Sequence, residues 1–466
     1  MKLLKKLFSF SVGSLSAAII GVISVPILTR IIEPGEYGIA TIFLTIGSLL
    51  SAIAIFGLDQ AFIRFFYEKN KIDLFKKTLL IAVFISFLLT IILFVFNNSI
   101  SKYIYPSGSY VLLLTLYIFI FVTYRFSNLI LRMLQFGYRY SLIQALQKIL
   151  EFLFILAFAL VFSPNHYSIL LGTMMTMIVL TVLSLLMSKS FWNESQINES
   201  KIRYKKLLLY SYPLMISTLM ALLFQSIDKF VLNYWGSSEE LGIYSAGFKL
   251  IAVLNILQSS FAIFWAPVSL EHFKKNPDNR DLYSNVAKIM TLTMLSVAII
   301  IIVLKDILVL FLGIEYQSAS ALVPALVLMP IMYTMSETTV QGINFSMKTY
   351  LHIIVSSISL IINIFLSFTL IPIFGMEGAA LSIGISYISF YLTRTYFGLK
   401  YFSFDIKFKE TISIIVLLLV WIILIMLFDS KLILIIGAII LFKILIFVFR
   451  EEVSKTIIFI RKKLKF

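Results

Sequence analysis

Apolar runs of about 20 residues, separated by short polar stretches, recur from one end of the chain to the other. At a helical rise of ~1.5 Å per residue, such a run spans the hydrocarbon core of a bilayer. The pattern predicts about fourteen membrane helices: 8–31, 38–62, 78–97, 110–131, 142–162, 167–188, 208–234, 241–264, 286–310, 319–340, 351–373, 377–397, 410–428 and 431–449. The first run follows the basic start "MKLLKKLFSF", and no small-residue cleavage site closes it. It is therefore expected to be an uncleaved first helix. Pro26, Pro213, Pro267, Pro324, Pro330 and Pro372 fall in or near these runs, where proline kinks a helix. Gly375 and Gly378 bracket a tight turn.

The polar stretches alternate in charge. One set carries Arg64, Lys69, Lys71, Lys76 and Lys77, then Arg132 and Arg139, then Lys189, Lys201, Arg203, Lys205 and Lys206. It continues with Lys274, Lys275, Arg280 and Lys288, then Lys348, then Arg394, Lys400, Lys407 and Lys409, and the basic tail. The other set offers Lys102 and Lys431, with Arg30 and Lys305 at helix ends. Basic loops stay cytoplasmic, so the bias predicts an even number of spans with both termini inside.

Composition agrees. Of 466 residues, 60% are hydrophobic and 13% charged, more apolar surface than a soluble chain could hide. The expected class is an all-α integral membrane protein. The net charge of +16 is scattered over many short loops, which argues for topology and against a nucleic-acid partner. Cysteine is absent, and His166, His272 and His352 fall in or beside three different loops. No metal site and no cofactor is expected.

The longest polar segment, "SKSFWNESQINESKIRYKKLLLY", lies near the middle. It suggests a six-helix lobe over 1–195, a cytoplasmic linker at 196–207, a second six-helix lobe over 208–400, and two accessory helices with a basic tail over 401–466. An internal echo supports duplication: Ile27–Leu50 matches Val231–Leu254 at a shift of about 204, placing Glu36 on Glu240 and Gly38 on Gly242. Duplicated halves with a substrate path between them are a recurrent transporter plan.

Charges inside the spans cost about 2.5–3.5 kcal/mol each at mid-helix and persist where they face protein or water. In "SLIQALQKILEFLFILAFAL", Ser141, Gln144, Lys148 and Glu151 form one polar stripe, with Gln147 beside it. Two readings stand: a Lys148–Glu151 pair that locks packing, or a lumen-facing cation with a titratable carboxylate. Arg125, Asn128, Arg132 and Gln135 also share a face, and Arg125 either snorkels to headgroups or presents its guanidinium to an anion. Asp228 has Lys229 beside it, and Lys249 lies about two turns into the next span. Asp228 and Lys249 either pair across helices or line a cavity. Arg30, Asp59 and Arg64 mark span ends, as boundary charges or as ligands, and Glu337 is open in the same way. The candidate cationic lumen is thus Arg30, Arg125, Lys148, Lys229 and Lys249, and the carboxylates placed to couple an ion are Glu151, Asp228 and Asp59.

The stretches "TRIIEPGEYGIATIF", "FGLDQAFIRFF", "SIDKFVLNYWGSSEELGIYSAGFKL" and "GMEGAALSIGISY" resemble the polysaccharide transporter (Wzx-type) branch of the multidrug/oligosaccharidyl-lipid/polysaccharide exporter superfamily. The resemblance runs over nearly the whole chain and includes the count of fourteen. It implies two six-helix lobes around a central cavity, and a flippase rather than an enzyme. The cargo it implies is an undecaprenyl-diphosphate-linked oligosaccharide (an O-antigen, capsule or exopolysaccharide repeat unit), moved from the inner to the outer leaflet of the bacterial cytoplasmic membrane by alternating access. Phosphate is then the ligand expected for the lumen cations, and H+ or Na+ the coupling ion. Membrane lipids and other polysaccharide assembly proteins are the expected partners. The lipid II flippase branch has a similar helix count, but its charged pattern after the first helix is not found here. Two alternatives remain. A drug or cation antiporter of the same superfamily would usually have twelve helices and a lumen of carboxylates and aromatics. A membrane polysaccharide polymerase would need a long outer loop, whereas no loop here exceeds about 20 residues.

Overall fold

A computed structural model describes residues 20–21, 23–68, 70–106, 108–192 and 202–454. The start of the first expected span, the beginning of the expected linker and the end of the basic tail lie outside the described residues. Helix dominates, and the described residues contain no strand. Ten helices among them are long and apolar enough to cross a membrane, or twelve if two bent pairs each count as one span. The chain forms two compact units, Met1–Ser245 and Ala246–Phe466.

In the first unit, α1 (Pro34–Ile55) starts with proline, whose missing N–H costs nothing at a helix N-terminus. It ends where Phe56 and Gly57 turn left-handed, and α2 (Leu58–Phe65) leaves at a new angle. The expected span 38–62 is therefore two helices. The Asn70 side chain accepts the backbone N–H groups of Ile72 and Asp73 at 3.1 and 2.9 Å and so caps α3 (Lys71–Val95). The short α4 (Asn97–Ile104) precedes α5 (Val111–Met133), α6 (Gly137–Val161) and α7 (His166–Met187). Next come α8 (Tyr204–Phe224), with Pro213 inside it, and α9 (Ile227–Trp235). These two belong to the first unit: Asn233 donates to the Tyr103 carbonyl at 2.7 Å, and the Tyr103 hydroxyl donates to the Phe230 carbonyl at 2.7 Å.

The sequence echo acquires a physical meaning at the start of α10 (Ser238–Ile251). A Cβ built on Gly38 would lie 1.8 Å from the Ser238 carbonyl oxygen, and one built on Gly242 would lie 1.8 Å from that of Pro34. Positions 34 and 38 thus meet their own counterparts in exchanged order. This is the self-complementary contact that a two-fold axis requires, and small residues let the backbones approach.

In the second unit, α11 (Leu254–Lys275) is bent by 42° from α10. Then follow α12 (Asp281–Val303) and α13 (Leu328–Thr339), the latter preceded by a 59° bend between 314–321 and 323–339. The expected spans 351–373 and 377–397 are two helices, labelled together α14 (Tyr350–Tyr401), that meet at a break at Gly375 with φ 54° and ψ −130°. Only glycine adopts that backbone cheaply. A Cβ built on Gly378 would lie 2.4 Å from the Leu370 carbonyl oxygen, so the chain turns back there as the glycine pair predicts. The second helix continues to Tyr401, which puts Arg394, expected in a loop, inside it. The hairpin of α15 (Phe408–Phe428) and α16 (Lys431–Val448) is held where Trp421 donates to the Ile433 carbonyl at 3.0 Å across Gly437. Trp265, Tyr283 and Phe402 form an aromatic core, and Lys288 of α12 hydrogen-bonds Asp405 in the loop before α15 and holds its carboxyl below the usual carboxylate range.

Gly38→Ala and Gly242→Ala should each force the α1 and α10 starts apart and destabilise the protein by about 1–3 kcal/mol, the usual cost of overpacking. Thermal unfolding in detergent measures this, and the two-fold relation requires the two losses to be similar.

Candidate functional site

Four of the charged residues singled out from sequence, Asp59, Arg125, Lys148 and Glu151, form ion pairs in the first unit. Asp59, near the start of α2, is 7% exposed. Its Oδ2 accepts from Arg125 Nη2 at 2.7 Å and Nε at 3.3 Å, which ties α2 to the middle of α5. On α6 the Lys148 ammonium donates to Glu151 Oε2 at 2.6 Å, a pair within one helix. Between the two pairs, the Tyr124 hydroxyl of α5 donates to Gln147 Oε1 of α6 at 3.0 Å. Two ion pairs and an aromatic–amide bridge thus form one polar surface over α2, α5 and α6.

The direction of this surface follows from helix geometry. On α5 the exposed apolar residues Leu112 and Leu116 lie on one side, and Arg125, Asn128 and Arg132 lie about 180° around the axis at 100° per residue. On α6, Ile149, Leu153 and Leu160 are exposed on one side, and Gln144, Gln147, Lys148 and Glu151 are centred about 180° away. Arg125 and Lys148 keep 45% and 41% of their side chains exposed. Both helices therefore have two accessible faces: an apolar one suited to lipid, and a polar one turned from it.

The other expected residues are separate. Arg30 is exposed in the turn before α1. Lys249 is exposed near the end of α10, and Lys229 is half-buried on α9. Asp228, beside it, is fully buried. The Tyr244 hydroxyl donates to Asp228 Oδ2, while Oδ1 has no hydrogen-bond partner among the described residues. Lys229 lies close enough to offset part of the charge of this buried carboxyl.

Two constellations escaped the sequence reading. In the first unit, Glu36 Oε2 accepts from the backbone N–H of His166 at 2.7 Å and lies 2.5 Å from its Nδ1, while Nε2 lies 3.0 Å from the Tyr110 hydroxyl. These residues are far apart in sequence and meet only because three helix ends converge. In the second unit, Arg394 Nη1 donates to Glu337 Oε1 and to Ser336 Oγ, each at 2.8 Å, beside the stacked rings of Tyr333 and Phe390. The available signal was spacing: Phe390 and Arg394 are one turn apart, as are Tyr333 and Glu337.

No curated protein matches the chain. Several solved structures share its fold. The lipid II flippase MurJ, in an inward closed conformation, superposes with a TM-score of 0.71 at 16% identity, covering 96% of this chain and 99% of its own. An inward-facing multidrug resistance MATE family transporter of the MOP superfamily gives 0.58 at 16% identity, covering 83% and 94%. An outward-facing one gives 0.55 at 16%, covering 85% and 95%. Residues 3–273, more than half the chain, match the polysaccharide biosynthesis protein family. The chain belongs to that family and carries the membrane-transporter fold of MurJ and the MATE proteins.

Proposed function

We propose that the protein is a flippase that carries an undecaprenyl-diphosphate-linked oligosaccharide from the inner to the outer leaflet of the bacterial cytoplasmic membrane by alternating access. The observation that carries this reading is the accessible polar face of α5 and α6, where Arg125 and Lys148 lie opposite the apolar stripes of their own helices. Cations placed there meet water in a transport path, not hydrocarbon. The family and the fold shared with a lipid II flippase support a lipid-linked cargo.

The ion pairs suggest how loading proceeds. Each cation already holds one carboxylate, so the empty site is neutral and cheap to maintain. The more exposed Lys148–Glu151 pair contributes only about 0–1 kcal/mol. A diphosphate, with more charge and more acceptor oxygens, displaces Asp59 from Arg125 and Glu151 from Lys148. The freed carboxylates then take up H+ or Na+, which couples loading to an ion gradient. Asp228 is a further carboxyl for that role. The glycine contact between the α1 and α10 starts closes the outer side and parts when the path opens outward. The termini, both cytoplasmic, follow from the basic loops.

Reconstitution with a lipid-diphosphate oligosaccharide, followed by leaflet exposure with and without imposed pH or Na+ gradients, tests the reading. Arg125→Gln and Lys148→Gln should each lower flipping about tenfold or more while the protein stays folded, and wild-type rates in both would reject the diphosphate site. Glu151→Gln should retain cargo binding but lose the gradient dependence; an unchanged response to the gradient excludes Glu151 as the coupling group. Because the chain has no cysteine, single cysteines report topology cleanly. Asn276→Cys should react with an impermeant maleimide only after the membrane is opened, and Ser430→Cys in intact cells. The reverse pattern would overturn the orientation.

A further inference from the structure

We infer that the first unit also holds an anionic glycerophospholipid, in a pocket between the end of α2 and the start of α8. The chain at the start of α2 approaches α8 closely at Gly57, whose φ is +70° and whose added Cβ would lie 2.5 Å from the Ser211 carbonyl oxygen. Phe65 meets Tyr210 edge-on with ring centres 5.4 Å apart. There a pocket of about 430 Å³ opens, lined by Phe65, Arg203, Lys205, Lys206, Leu209 and Tyr210.

Two features identify the class of ligand. The walls are apolar: Leu209 is 63% exposed and Tyr210 38% exposed, on a helix long and apolar enough to cross the membrane. A freely dissolved anion has no use for such walls, whereas an acyl chain does. The rim is cationic and lacks internal compensation. Nearby, Arg64 pairs with Glu68, and Lys77 pairs with Asp73 at 2.9 Å. Among the described residues, no carboxylate lies within ion-pair distance of Arg203, Lys205 or Lys206. The Lys206 ammonium lies 4.9 Å from the centre of the Phe65 ring, a cation–π contact that holds it at the pocket. Three uncompensated cations beside an apolar slot at the end of a spanning helix suit a phosphodiester headgroup with its chain laid along Leu209. This site is separate from the polar face of α5 and α6. A lipid seated here bridges α2, which carries Asp59, to α8.

The test uses the purified, delipidated full-length protein in detergent and needs no transport assay. Phosphatidylglycerol, phosphatidylcholine or inorganic phosphate is added, and lipid retention is counted by native mass spectrometry alongside the unfolding temperature. Phosphatidylglycerol should be retained and should raise the unfolding temperature, with little effect from the other two. The triple variant Arg203→Gln, Lys205→Gln, Lys206→Gln should weaken phosphatidylglycerol binding about tenfold or more. Leu209→Gln, at an exposed position, should weaken it without removing a charge, and covers the case in which the triple variant fails to fold. Lys274→Gln, Lys275→Gln, Lys409→Gln removes as much charge elsewhere and should bind as wild type. Equal binding by wild type and the pocket variants would overturn the proposal. So would an equal loss in the Lys274/Lys275/Lys409 control, or stabilisation by phosphate alone.

Discussion

A charged side chain in the middle of a spanning helix is tolerable only on a face that lipid does not touch. Arg125 and Lys148 lie opposite the exposed apolar stripes of their own helices, and the proposed function depends on that placement. Their helices expose apolar side chains on one side and a polar stripe on the other. Each cation is matched by a carboxylate at hydrogen-bonding distance. At the insertion cost of about 2.5–3.5 kcal/mol per charge, two unpaired cations facing lipid would consume much of a domain's net stability of ~5–15 kcal/mol. Paired with carboxylates, they cost less than bare charges would.

The same economy separates the exposed pairs from the buried ones. Arg394 and Glu337 are nearly sealed, beside stacked aromatic rings. Opening such a pair strands a charge, at about 3–5 kcal/mol, so it is suited to locking α13 to α14. Asp59–Arg125 has one buried partner and one exposed partner. It is held in place by α2, yet reachable from outside. That asymmetry suits a site that must bind and release an anion.

Close backbone approach is the second theme. The contacts at Gly38, Gly57, Gly242 and Gly437 all sit where a Cβ would collide with a neighbouring helix or ring. Without a hydrophobic driving force between helices in lipid, association relies on such packing. Small residues at these positions give intimate contact.

By itself the sequence determined the membrane class, the placement of nearly every described span, the internal echo and the polar stripes on α5 and α6. These are properties of composition and of periodicity along one helix, and lipid imposes them strictly. Span ends that depend on backbone geometry were less legible. The break at Phe56–Gly57 and the extension of the helix after Gly375 to Tyr401 turn on one or two dihedral angles. Contacts between distant segments were not legible at all. Asp59 with Arg125, Glu36 with His166, Glu337 with Arg394, and the exchange of Gly38 and Gly242 neighbours join positions tens to hundreds of residues apart. Helical periodicity says which face a residue occupies, and only the packing of one helix on another says what that face meets.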